Sequence, residues 1–222
     1  MTPSAWDLLL DALGPIVLGA VRGTIPLAVV SFVLGLVLAL GLALMRLSHR
    51  WWLSGIARGY ISVVRGTPLL VQLFVIFYGL PSIGVVIDPW PSAVVAFSVN
   101  VGGYAAEIIR AAILSVPQGQ WEAAYMIGMP RHLALRRIIL PQAARVSVPP
   151  LSNTFISLVK DTSLASLILV TELFRQAQEV AAFSQEFMLL YLEAALVYWV
   201  ICLGLSAVQG ALETRLDRYV AH

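Results

Sequence analysis

From residue 23 to residue 45, between Arg22 and Arg46, the chain carries no charged side chain. Those 23 residues exceed the roughly 20 that an α-helix needs to cross a hydrocarbon core. Other uncharged runs follow: 66–87 between Arg65 and Asp88, 89–106 before Glu107, and 194–212 before Glu213. Lipid offers no partner for a backbone N–H or C=O, so such runs must be helical. One apolar stretch is broken. Lys160 and Asp161 divide 146–171 into uncharged pieces at 146–159 and 162–171, and neither piece spans alone. The expected fold is therefore an all-α integral membrane chain with five transmembrane helices, at about 23–45, 66–87, 92–114, 146–171 and 190–212. One domain is expected over 1–222, with a cytoplasmic loop at 115–145.

Composition excludes the other broad classes. The chain is 59% hydrophobic and 12% charged, against roughly 25% charged for soluble domains. A net charge of +2 implies no nucleic-acid arm. The single cysteine, Cys202, lies in an apolar run and is expected to pack as a small residue. His49, His132 and His222 show no metal-ligand spacing, and no catalytic cluster or GxxxxGK[ST] phosphate loop is present. Neither a resident cofactor nor an enzyme activity is expected. Asp7 and Asp11 precede the first long apolar run, which does not resemble a cleaved leader. Residues 1–21 are expected to form an interfacial helix leading into the first span, and RLSHRWWLSGIAR (46–58) a helix along the inner surface.

Charge asymmetry sets the orientation. Placing 115–145 inside puts eleven arginines on or near the cytoplasmic face: Arg46, Arg50, Arg58, Arg65, Arg110, Arg131, Arg136, Arg137, Arg145, Arg215 and Arg218. Arg22 and Arg175 are left outside with Asp7, Asp11, Asp88, Glu172, Glu179 and Glu186. That is the positive-inside pattern, with the N-terminus outside and the C-terminus cytoplasmic.

The stretch 119–141, GQWEAAYMIGMPRHLALRRIILP, is punctuated as helix, tight turn, helix. Gly128 with Pro130 two residues on stops the first helix, and the second is expected to end before Pro141. Glu122-Ala123-Ala124, Gly128, Ile138, Leu140 and Pro141 resemble the EAA signature of membrane subunits of ABC-type importers: E-A-A, three residues, G, nine residues, I-x-L-P. Arg65-Gly66-Thr67-Pro68 and Lys160-Asp161-Thr162-Ser163-Leu164 are similar to the branch that carries polar amino acids and opines. The resemblance covers about Gly19 to Gln209. It implies that Glu122, Ala123, Ala124, Gly128, Arg131, Ile138, Leu140 and Pro141 form a coupling knuckle that docks on a cytoplasmic ATP-binding subunit. ATP and magnesium would be bound by that subunit. It also implies a second permease copy or homologue, an extracytoplasmic substrate-binding protein, a polar amino acid as cargo and a bacterial inner membrane. The alternatives are a permease for another small solute, and a passive or ion-coupled channel using Lys160 and Asp161 as a proton relay.

Polar residues inside spans need partners. Asn100 pairs with a neighbouring helix or faces a passage. Asn153, Ser157 and Asp161 fall at i, i+4 and i+8 on one helical stripe, with Lys160 at its edge. Either the charged pair locks helices together, or the stripe lines the passage, with Asp161 drawing an α-amino group and Lys160 meeting a carboxylate. Thr67 is expected to cap the second span.

Overall fold

The computed structural model describes residues 5–217, with side chains through residue 215. Arg218 and both chain termini, which enter the topology argument, lie outside the described residues. Every regular element among those residues is helical. Helices α1 (Ala5–Gly19) and α2 (Ile25–Arg46) are joined through a wide turn at Ala20–Thr24 into one rod of 42 residues. At 1.5 Å per residue that is about 60 Å, twice the hydrocarbon thickness. The first helix is thus not a separate interfacial element. Its Ala12 and Ile16, with Ala20 of the wide turn, pack against Leu173, Ala177, Ala181, Leu190 and Ala194.

Helix α3 (Trp51–Gly66) is followed by α4 (Leu69–Phe74), a wide turn and a short 3₁₀ stretch ending at Ile83. The two halves meet at 106°. Thr67 sits at the corner in extended backbone and does not cap α4. Its hydroxyl instead donates to Val63 O at 2.9 Å and accepts from Gln72 Nε2 at 2.9 Å. Helix α5 (Pro89–Ser115) is the centre of the bundle. Small residues let α2 approach it, with Gly35, Ala39 and Ala43 buried and Gly35 facing Val101. Across that contact Ser98 Oγ donates to Ser31 O at 3.2 Å. Gly41 lies on the exposed face and takes no part.

Helices α6 (Gln118–Met126) and α7 (Arg131–Ala134) form the knuckle. The chain then passes through Leu135–Ile139 into α8 (Leu140–Asp161) and a 3₁₀ stretch, Thr162–Ile168. The expected stop before Pro141 is absent, because the helix changes pitch in front of the proline. Leu140 N–H reaches back five residues to Leu135 O. The same wide turn stands before Pro26 and Pro81, each time with proline as the second residue after it. A proline offers no N–H and its ring clashes with the carbonyl four residues back, and a wider turn moves that carbonyl aside. After a left-handed Leu169, α9 (Leu173–Ser184) leaves at 48° to the preceding helix. Helix α10 (Phe187–Asp217) closes the described chain.

Three helices among the described residues are long and apolar enough to cross a membrane: Ala5–Arg46, Pro89–Ser115 and Phe187–Arg215. Counting each bent pair as one span gives five.

Candidate functional site

The knuckle is built on a glycine. The carbonyls of Ala124 and Tyr125 at the end of α6 accept from Met129 N–H at 3.0 Å and Gly128 N–H at 2.9 Å. That crossed pair closes a Schellman turn, which needs a left-handed residue, and Gly128 has φ +75°. Pro130 then starts α7 in extended backbone. The unit is seated on the bundle by Trp121, Leu135, Ile138 and Leu140 around a small core of Ala112, Ile113, Val116, Ile139 and Ala143.

This seating divides the signature residues. Ala124 is fully buried, and Ile138 and Leu140 are half-buried against the bundle, so these three hold the knuckle's shape. Glu122, Ala123, Gly128, Arg131 and Pro141 are exposed, beside the apolar Met126 (87% exposed) and Ile127 (74%). Two such residues standing free on a polar tip form a surface suited to a protein partner. Behind the knuckle, Glu107 on α5 receives Arg110 at 2.9 Å and Arg46 of α2 at 3.4 Å. Arg131 also touches His49 in the α2–α3 connection.

Within the bundle the polar residues are dispersed. Asn100 Nδ2 donates to Gln72 Oε1 at 3.1 Å, and Gln72 in turn donates to Val64 O at 2.8 Å, so this amide pair fastens α5 to the α3–α4 corner. Asn153, exposed on α8, accepts from Gln209 of α10 at 3.2 Å, and Ser157 is exposed one turn further on. Lys160 and Asp161 end α8: Lys160 is exposed and Asp161 half-buried. The next turn tightens to 3₁₀ because Thr162, Ser163 and Ser166 each donate a hydroxyl to the carbonyl three residues back, at 2.7, 2.8 and 2.7 Å. A cavity of ≈ 560 Å³ opens beside Lys160, between α8, α9 and α10.

Sequence reasoning missed Glu172, which it placed among the outer-face acids. Its side chain is fully buried and accepts four hydrogen bonds: Arg175 N–H at 2.7 Å, Tyr198 Oη at 2.8 Å, Phe174 N–H at 2.9 Å and Thr24 Oγ1 at 3.4 Å. The two backbone donors make it the N-cap of α9, and the two hydroxyls bring in α10 and the α1–α2 junction. Gly23 makes room: a Cβ there would lie 2.4 Å from Thr171 O. A buried acid needs a complete set of donors. The available sequence signal was an acid close to an apolar run, followed by a helix that lacks any other cap.

The fold and the exposed knuckle are those of a membrane component of a transport system. Residues 13–218 match the family described as the binding-protein-dependent transport system inner membrane component, and the chain belongs to that family. It is 59% identical over 221 residues to the L-cystine transport system permease protein TcyB of Bacillus subtilis (strain 168), covering 99% of this chain and 94% of that protein. It is 39% identical over 206 residues to the probable amino-acid ABC transporter permease protein YckA of the same organism, covering 93% and 91%. Among solved structures it superposes on an amino acid ABC transporter crystallised with histidines at a TM-score of 0.89 and 34% identity, over 97% of this chain and all of that one.

Proposed function

We propose that this chain is the permease subunit of an ATP-driven importer for amino acids, with L-cystine as the substrate. The observation that carries the substrate is the 59% identity to an L-cystine permease over nearly the whole of both chains. Two permease subunits, two cytoplasmic ATP-binding subunits and an extracytoplasmic binding protein make up the working assembly. ATP and magnesium belong to the ATP-binding subunits. The chain's own work is coupling and passage, with the knuckle inside, the N-terminus outside and the C-terminus cytoplasmic.

In this reading the exposed Glu122, Ala123, Gly128, Arg131 and Pro141, with Met126 and Ile127, sit in a groove of the ATP-binding subunit. Closure of that subunit pair drags the knuckle. The helix from Arg131 to Ile168 is continuous, so the movement reaches the membrane interior as a lever without a joint. Asn100, Asn153, Ser157, Lys160 and Asp161 contribute the polar groups of the passage, and Asp161 takes a substrate ammonium.

Uptake of labelled L-cystine by cells with and without this chain tests the substrate. Loss of cystine uptake with intact glutamine uptake supports it, and the reverse pattern overturns it. Coupling is tested by Gly128→Val, since a β-branched residue is strained at a φ of +75°. The expected outcome is a complex that assembles and hydrolyses ATP while transport falls at least tenfold. Unchanged transport with a normally bound ATP-binding subunit removes the knuckle from the mechanism.

A further inference from the structure

A second space, of ≈ 360 Å³, lies between α8 and α10 and is backed by α2. Phe32 of α2 meets Phe155 of α8 edge-on there, with ring centroids 5.0 Å apart. Leu151 of α8 and Leu205 and Val208 of α10 continue the walls. Helix α8 starts beside the knuckle, so Val148 marks the groove's knuckle end, and Leu212 of α10 lines it too. Among the described residues the only polar side chains in the lining are Ser152 and Gln209. Gln209 Nε2 is committed to Asn153 Oδ1 at 3.2 Å and Glu213 Oε1 at 2.8 Å. A zwitterionic amino acid would find no charge in this wall for either of its ends, which makes its burial here costly. The groove suits a hydrocarbon.

Positive charge stands at the knuckle end. Arg145 lies three residues before Val148 and seven before Ser152, so it extends the face of α8 that lines the groove. Arg215 lies three residues after Leu212 and seven after Val208, and extends the facing side of α10 in the same way. Both arginines are exposed. Glu213, two residues before Arg215, is about 200° round the helix, on the side of Gln209. A guanidinium is matched in shape and charge to a phosphate. Basic pockets between spanning helices on the cytoplasmic side hold anionic lipid headgroups in this way.

We propose that this groove binds an anionic phospholipid of the inner leaflet, with one acyl chain between α8 and α10 and the headgroup phosphate between Arg145 and Arg215. The site goes beyond the proposed function and takes from it only the orientation with the knuckle inside. Helix α8 is the lever that the knuckle moves in that reading. The acyl chain then lies on the surface along which α8 slides past α10, and turnover depends on the charge of the surrounding lipid.

Photolabelling tests the site. The complex, purified with its ATP-binding subunits, is placed in phosphatidylcholine nanodiscs. These carry a trace of phosphatidylglycerol or of phosphatidylcholine with a diazirine midway along one acyl chain. After illumination, adducts on residues 148–156 and 205–212 are quantified by mass against those on 192–200, an exposed stretch of the same α10. The phosphatidylglycerol probe is expected to label the groove at least about fivefold more than the phosphatidylcholine probe, the preference that one basic side chain at a membrane surface confers. Arg145→Gln with Arg215→Gln should bring the ratio close to one. Val208→Trp, at a position 66% exposed and so tolerant of bulk, should fill the groove and remove most adducts there while leaving those on 192–200.

Equal labelling by the two probes in the parent overturns the proposal, as does a ratio unchanged in the double variant. A groove that neither probe labels overturns it as well, and is the result expected if a second copy of the chain covers this face. So does labelling that Val208→Trp leaves intact. If the double variant does not assemble, the parent's ratio in high salt decides: it should fall toward one, because salt screens exposed charges, and a ratio that holds overturns the headgroup contact. Labelling does not depend on turnover. A failed cystine uptake with a preserved lipid preference indicts the substrate reading and spares the lipid site, and normal uptake without the preference does the opposite.

Discussion

Glu107 and Glu172 are both acids at places where helices meet, at opposite ends of the bundle. Glu107 is 21% exposed and sits between two guanidiniums, Arg110 on its own helix and Arg46 on α2. Glu172 is fully buried and its four donors are two backbone N–H groups and two hydroxyls, all neutral. The first is a partly solvated ion pair, in which attraction is offset by desolvation and side-chain entropy. The second is a closed hydrogen-bond set with no water to replace a missing partner. The contrast teaches where the bundle is rigid and where it can give. The Glu172 end joins α9, α10 and the α1–α2 junction through directed bonds that fail together. The Glu107 end, next to the knuckle that moves in the proposed function, is held by charges that can slide and re-form.

The largest effect is expected where the rigid end is closed by shape. Gly23→Val places a Cβ 2.4 Å from Thr171 O and 2.6 Å from the Cα of Glu172, and both contacts are to backbone that cannot rotate away. This variant should yield little or no folded protein by fluorescence-detected size exclusion. Gly41→Ala, whose added Cβ meets nothing within 4 Å, should be recovered at the parental level. Equal recovery of the two variants would show that the α1–α2 junction does not need its tight seat.

Next comes the acid itself. Glu172→Ala leaves Tyr198 Oη, Thr24 Oγ1 and two N–H groups without their acceptor, a loss of about 3 kcal/mol or more. Glu172→Gln retains one acceptor oxygen but turns an N–H₂ toward donors, so it should fall between alanine and parent. Heating each variant and measuring the surviving monodisperse fraction gives the order. Should glutamine match the parent, the site would have to hold a protonated carboxyl, and the contrast with Glu107 would narrow to one of burial.

The two ends were unequally legible in the sequence. Uncharged runs placed the apolar segments because charge in hydrocarbon is costly. Gly128 and Pro130 revealed the knuckle turn because each residue restricts backbone in one direction. The Glu107–Arg110 pair is open to reading from helical spacing alone, since the two lie three residues apart on one helix. Glu172 was opaque for the opposite reason: its partner Thr24 lies 148 residues away, and a count of charges treats a buried acid and an exposed one alike. Prolines misled in a specific way. Pro141 reads as a stop, yet the helix widens ahead of it and continues, and Pro149 and Pro150 lie inside α8. Asn100 left two partners open, and only the fold shows Gln72 within reach.

The smallest effect is expected at the sliding end. Glu107→Gln removes the charge but keeps an oxygen for Arg110, and Arg46 and Arg110 are 19% and 28% exposed, so water can take up what the carboxylate releases. The expected loss of stability is within about 1 kcal/mol, as for other solvent-reachable ion pairs. It should shrink further in high salt, since salt screens exposed charges. The same salt series on Glu172→Gln should leave its deficit unchanged, because no ion pair is involved there. The two variants, measured side by side at low and high salt, therefore separate the ends by mechanism as well as by size. A salt-independent deficit at Glu107 as large as that at Glu172 would mean that the knuckle end is locked too. The motion that the proposed function assigns to the knuckle would then have to be taken up in the bend between α8 and α9, where the axis turns by 48°.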